Sequence, residues 1–244
     1  MDVRELFTKD RILFVLIFSI LAVIAYNFNF SPMLGTENQS FTLFQFFGPI
    51  AGAFLGPFFG SLTVLLAEGM NVFVIGKEIN LINLIRLTPM MFAAFYFGSK
   101  GTKNIVAAVP IVCMALFMLH PIGSQVWYYS LYWLIPLIVK VLGVIPLIGQ
   151  RLKDNLLFRS LGATFTAHAV GSVIFLYTFS TTVSLWQTLI PIVLFERAMF
   201  AMGISVSYLV ANNLLIMVRN KVPEKVVELS EKYNFTRGVF TSRN

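Results

Sequence analysis

The sequence predicts an all-α polytopic membrane protein, a bundle of about 6–8 transmembrane helices that includes a short helix and a Gly-Pro helical hairpin. Three observations predict it. Of 244 residues, 57% are hydrophobic and only 12% are charged, with a mean hydropathy of +0.80; a soluble domain carries about 25% charged residues. The apolar residues gather into runs, roughly 12–30, 41–75, 81–98, 104–120, 127–149, 157–180 and 185–218, and a span needs about 20 of them. The Lys and Arg residues flank those runs instead of filling them, as the positive-inside rule expects.

The first run, Ile12 to Phe30, exceeds a signal-peptide core and is not followed by a small-x-small cleavage site. It is expected to be the first span. The second run, Phe41 to Ile75, would measure about 52 Å as one helix, against a hydrocarbon core of about 30 Å. Charge decides how it is accommodated. Basic connections are the N-terminus (Arg4, Lys9, Arg11), the 98–104 loop (Lys100, Lys103), the 150–159 loop (Arg151, Lys153, Arg159) and the tail beyond residue 218. Connections without Lys or Arg are 31–40, 120–126 and 180–187. With the basic group inside, an odd number of crossings must lie between Phe41 and Gly98, so the long run has to break. Gly56-Pro57 is the expected place. Proline removes a backbone donor and collides with the carbonyl four residues back, and glycine admits turn dihedrals; Pro49 is the competing break. Gly48, Gly52, Gly56 and Gly60 recur every four residues through this region. They leave a side-chain-free stripe of the kind that lets helices pack closely in lipid, so the two arms are expected to close on each other. Ala163, Ala167 and Gly171, with Ala201 and Ser205, form lesser stripes suited to bundle packing.

The resulting organisation is one transmembrane domain, 1–218, and a cytoplasmic C-terminal tail, 219–244, in which Pro223 to Tyr233 resembles a short surface helix. Both termini are expected in the cytoplasm, in a multi-pass plasma-membrane protein. Nucleic acid is not suggested by the formal charge of +7, because the basic residues are membrane-flanking. One cysteine, Cys113, excludes an intrachain disulfide.

Ionisable residues inside apolar runs carry the functional signal, because an isolated charge there is costly. Lys140 is near enough to the inner boundary to snorkel, and His120, before Pro121, suits an interfacial end. Glu68, Arg86, His168, Glu196 and Arg197 lie deeper. Either they pair internally, Glu196 with Arg86 or Arg197, or they contact a ligand, and the two roles are compatible. Asn71 follows Glu68 by three residues. The outer connections add an aromatic run that includes Trp127 and Tyr128, which serves either as an interfacial belt or as a pocket wall for a flat heterocycle. Glu68, Asn71, Arg86, His168, Glu196, Arg197, Trp127 and Tyr128 are therefore the candidate substrate-binding residues. No P-loop and no HExxH motif is present, which argues against ATP hydrolysis by this chain and a zincin-type protease. Met114, Met118 and His120 make only a weak soft-metal argument. No metal and no cofactor is expected, and no catalytic residue is assigned.

The stretch AFLGPFFGSLTVLLAEG, 53–69, resembles the Gly-Pro turn and third helix of the substrate-binding S components of energy-coupling factor (ECF) transporters. HAVGSVIFLYTF, 168–179, and PIVLFERAMFAMGISVSYLVANNLL, 191–215, resemble the last two helices of that plan. The chain departs from it in three ways. Residues 104–149 would be an added hairpin, the acidic residue Glu68 comes slightly late, and Ala22 and Ala25 stand in only loosely for the AxxxA pattern that contacts the coupling subunit in that family. The resemblance implies high-affinity capture of a small vitamin-like solute from outside. It also implies partners, a transmembrane coupling subunit and ATPase subunits. The first outer loop, with Pro32, Gly35, Glu37 and Asn38, would be a gating lid. Two other readings stand beside it: an intramembrane enzyme acting on a lipid or prenyl substrate through Glu68, His168 and Glu196, and a glycine-zipper channel or self-contained transporter.

Overall fold

The computed structural model of the chain describes residues 9–35, 40–76, 78–99, 104–142, 155–217 and 227–235. Helix α1 (Lys9–Tyr26) leads into a two-stranded antiparallel hairpin, β1 (Asn29–Pro32) and β2 (Ser40–Thr42). Then come α2 (Phe44–Phe47), α3 (Ile50–Ile75), α4 (Leu81–Ile85), α5 (Thr88–Gly98), α6 (Asn104–Leu119) and α7 (Pro121–Gln125). A 3-10 helix (Trp127–Trp133) precedes α8 (Leu134–Leu142), α9 (Leu156–Thr178) and α10 (Val183–Met217), and a short 3-10 turn (Glu231–Tyr233) lies in the tail. Among the described residues four stretches are long and apolar enough to cross a membrane: Ile50–Ile75, Leu81–Gly98, Leu156–Thr178 and Val183–Met217. Arg11–Tyr26, Ala108–Leu119 and Trp127–Leu142 are shorter apolar helices. The protein is an α-helical, membrane-embedded bundle.

The chain reverses at Gly56, whose φ of 79° and ψ of 168° are non-helical. In an unbroken helix Gly52 and Gly60 would lie about 12 Å apart along the axis. Here a Cβ on Gly60 would overlap the Gly52 Cα. A Cβ on Gly52 would overlap the Ala94 carbonyl, and one on Gly98 the Gly52 carbonyl. Three backbones therefore meet at Gly52: the arm Phe44–Leu55, the arm beginning at Pro57, and α5. The expected break and the arm-closing role of Gly52 and Gly60 are both present. Pro49 does not break the chain, because Gly48 and Pro49 keep right-handed helical dihedrals and join α2 to α3. Gly48 faces the side chains of Met90 and Phe44 rather than the opposing arm. The first arm, Phe44–Leu55, is about 18 Å long and the second, Pro57–Ile75, about 28 Å, so only the second matches a hydrocarbon core.

Two buried clusters hold the bundle. One joins α1, α3, α5, α9 and α10 around Phe54, Phe97 and Tyr208; the other joins α6, the 3-10 helix, α9 and α10 around Phe117, Trp133 and Trp186. At the α9–α10 contact Ser160 and Ser205 share a hydrogen bond of 2.9 Å, beside the fully buried Ala163 and Ala201. The hairpin 104–149, expected as an addition, contributes one face to the core in its described part, with Cys113, Phe117, Val126, Tyr129 and Trp133 buried. Tyr177 binds the Leu116 carbonyl at 2.9 Å and Tyr96 the Pro136 carbonyl at 3.0 Å.

Several elements differ from expectation. The first apolar run ends as a helix at Tyr26, and the following loop is paired as strands; its Phe30 packs on Phe46 at 4.7 Å and Phe41 on Phe200 at 5.3 Å. Aromatic anchoring therefore orders the loop that periodicity leaves irregular. Ala22 and Ala25 are buried inside the chain's own core, so the face of α1 open to lipid or a partner is instead Ile12, Leu13, Leu16, Ile17, Ile20 and Ile24. The tail is not a free surface helix in its described part. Val227 is buried, Ser230 exchanges two hydrogen bonds with the Asn212 amide, and Asn213 binds the Tyr233 carbonyl and the Phe235 amide. The Glu228 amide donates to the Phe54 carbonyl at 2.8 Å, a group close to the Gly56 break. Charge placed the tail in solvent, but two asparagine side chains capture its backbone.

Candidate functional site

A cavity of about 280 Å³ opens at the end of the bundle that carries the strands. Helix α3 supplies Glu68 and Asn71, one turn apart, and α9 supplies His168, Gly171 and Ser172. Arg86 comes from the junction of α4 and α5, where two turn residues interrupt the expected 81–98 span, and Pro89 starts α5 in its first turn, where its missing amide hydrogen costs no bond. Helix α10 supplies Trp186, Glu196 and Arg197, and the hairpin covers the opening with Met33, Leu34, Ser40 and Phe41.

Glu68 is 6% exposed and its Oε1 accepts the Tyr26 hydroxyl at 2.8 Å. Tyr26 is itself fixed by stacking on Phe44 at 4.6 Å. The second carboxylate oxygen, Oε2, has no protein partner, and neither has Asn71 Oδ1. On the opposite element Arg197, 3% exposed, pairs with Glu196 at 3.3 Å. Its guanidinium lies over the rings of Phe200 at 4.5 Å and Phe41 at 5.1 Å, and its Nε has no protein partner. Of the two pairings weighed from the sequence, Glu196 thus takes its neighbour Arg197. Arg86 lies over the Phe179 ring at 5.5 Å.

His168 has both ring nitrogens engaged. Trp133 Nε1–H donates to Nδ1 at 3.1 Å, and the Tyr129 hydroxyl meets Nε2 at 3.1 Å. Indole is a donor only, so Nδ1 is the acceptor and the neutral ring carries its hydrogen on Nε2, toward Tyr129. Trp186, locked by its bond to Thr181 at 3.1 Å, stacks edge-on to Tyr129 at 4.8 Å.

Six of the residues chosen from the sequence, Glu68, Asn71, Arg86, His168, Glu196 and Arg197, line this one cavity. Trp127 and Tyr128 do not. Trp127 is half exposed, and Tyr128 accepts a bond from Gln187 at 3.3 Å near the surface. Tyr129 and Trp133 of the same aromatic run are buried instead. Of the gating residues, Gly35 has a φ of 83° and fits against Leu185 and Phe175, and Pro32 ends β1 on the exposed side. Glu37 and Asn38 lie outside the described residues. His120 caps α7 by accepting the Ile122 amide at 3.2 Å, and Lys140 reaches the Ser99 carbonyl at 2.8 Å, the snorkelling geometry expected of it.

No protein-family model, curated protein or solved structure matches this chain. The site is therefore argued from its own residues. It is a partly open amphipathic pocket lined by buried polar residues, of the size and character of a small-molecule site. Tyr26 and Tyr129 are among the site residues that sequence reasoning did not select. Tyr26 carried no charge signal, and choosing Tyr129 over Tyr128 required knowing how the aromatic run packs.

Proposed function

We propose that this chain is the solute-binding membrane subunit of a transporter of the ECF S-component kind. It captures a small vitamin-like molecule from outside and hands it on with a transmembrane coupling subunit and ATPase subunits. In this reading both termini are cytoplasmic and the chain lies in the plasma membrane, with the Gly56 turn near the inner face and the β1–β2 hairpin at the outer face. The bundle crosses the bilayer 6–8 times.

One observation carries the reading. Six polar residues drawn from four separate elements converge on a single cavity beneath a hairpin lid, and three of their buried atoms lack protein partners. Buried polar atoms normally find partners, and a bound solute supplies them. The resemblance of residues 53–69 to the Gly-Pro turn of that family supports the same reading, because the turn forms where the resemblance puts it. The enzyme alternative needs Glu68, His168 and Glu196 within reach of one another. No hydrogen bond joins them, and the imidazole nitrogens are held by Trp133 and Tyr129. The channel alternative needs a glycine stripe facing an axis between copies, whereas Gly52 and Gly60 face each other within one chain.

Native mass spectrometry of the protein purified from its host membrane tests this. A retained small molecule, or co-purified coupling and ATPase proteins, is the expected result. Neither of these, together with unassisted solute flux in liposomes, overturns the proposal.

A further inference from the structure

We infer that the pocket selects a flat molecule whose buried end is a cationic or doubly N–H-donating nitrogen group, seated on Glu68 and Asn71. The inference rests on the solute-binding reading and names the chemistry of that ligand.

The cavity is asymmetric in its charge pairing. On the α10 wall the positive charge of Arg197 is answered by Glu196 at 3.3 Å and by two aromatic faces. On the α3 wall Glu68 has one polar partner among the described residues, the Tyr26 hydroxyl, and no described cationic side chain lies within salt-bridge distance of it. The Tyr26 bond occupies Oε1 and leaves Oε2 without a protein partner, like Asn71 Oδ1, on two residues that line the cavity. Two acceptors one helical turn apart, nine-tenths buried, match a head that donates two hydrogens. A cation there supplies the charge that a buried carboxylate requires, and charge-assisted bonds are the stronger kind. An anionic head would instead stand beside the like charge of the Glu68 carboxylate.

The rest of the pocket fits the body of such a molecule. Phe175, Phe179 and Trp186 line it with aromatic surface, which favours a flat ring by stacking.

The test uses two probes of equal shape and opposite charge, benzamidinium and benzoate, titrated calorimetrically into the full-length protein in nanodiscs. Benzamidinium is expected to bind and benzoate not to. Glu68→Gln, nearly isosteric, is expected to weaken benzamidinium at least about tenfold, the loss of one charge-assisted bond. Asn71→Leu, close in volume, removes the second acceptor and keeps the carboxylate; it is expected to weaken benzamidinium likewise and serves if Glu68→Gln does not fold. Preference for benzoate overturns the inference, as does benzamidinium binding that ignores Glu68→Gln; solute binding survives both results. If neither probe binds, the inference falls. The native mass spectrum then decides whether solute binding falls with it.

Discussion

Trp133 Nε1 donates to His168 Nδ1 at 3.1 Å, and this bond ties the 104–142 region to the pocket. The indole fixes which imidazole nitrogen carries hydrogen and so aims that hydrogen at Tyr129, a cavity-lining residue. A segment that departs from the resembled family plan therefore orients a site residue.

Trp133→Phe keeps a ring against Phe117, 5.2 Å away, and removes only the donor. A buried acceptor left without its bond costs about 1–3 kcal/mol. The variant is expected to melt earlier in detergent, and nitrogen NMR of labelled histidine is expected to show a second tautomer at His168. An unchanged histidine spectrum would show that the bond does not set the tautomer.

The Gly52 crossing is tested by paired glycines. Gly52→Ala puts a methyl group into the Ala94 carbonyl, whereas Gly69→Ala meets nothing within 4 Å. Gly52→Ala is expected to aggregate or melt early in fluorescence-detected size exclusion, and Gly69→Ala to match the parent. Gly56→Ala isolates backbone strain, since its Cβ also meets nothing but its φ is 79°; an L-residue held there costs about 1–3 kcal/mol.

Glu196→Gln leaves the Arg197 charge buried beside a neutral amide. Removing one partner of a buried ion pair costs about 3–5 kcal/mol, so a large fall in thermal stability is expected. The double variant Glu196→Gln with Arg197→Met removes both charges and is expected to recover most of that loss. Equal melting temperatures for single and double variants would show that the pair is not coupled.

Gly35→Val combines a strained φ with a collision against Leu185. The hairpin is then expected to seat poorly over the cavity, and a bound solute to dissociate faster in stopped-flow measurements at little change in overall stability. An unchanged off-rate would remove the hairpin from any gating role.

How much of this was legible beforehand depends on what kind of force fixes each part. The break at Gly56 follows from a mismatch between helix length and bilayer thickness, so Phe41 to Ile75 betrays it without any tertiary information. The pocket walls are legible for the same reason: Glu68, Arg86, His168, Glu196 and Arg197 are costly in lipid unless they face one another or a ligand. What stayed hidden depends on register or on contacts between distant segments. Tyr129 rather than Tyr128 faces the cavity because of how the run packs among Phe117, Trp133 and Trp186. The β1–β2 pairing depends on Phe200, far along the chain, and the seating of the tail on Asn212 and Asn213. Polar residues in a final apolar helix carry no signal that separates a lipid-facing amide from one that grips backbone.

Asn212→Ala with Asn213→Ala removes the side-chain bonds to Ser230, Tyr233 and Phe235. Residues 227–235 are expected to become protease-sensitive, while the cavity, at the other end of the bundle, keeps its solute affinity. Protection equal to the parent would mean that Val227 burial alone holds the segment.

The Glu228–Phe54 hydrogen bond also has a mechanical consequence. The Phe54 carbonyl belongs to the arm that leads into the Gly56 turn, and its partner comes from a segment far along the chain. Residues 227–235 thus brace that arm, and any hinge motion of the Gly-Pro hairpin has to carry the segment with it or break this bond.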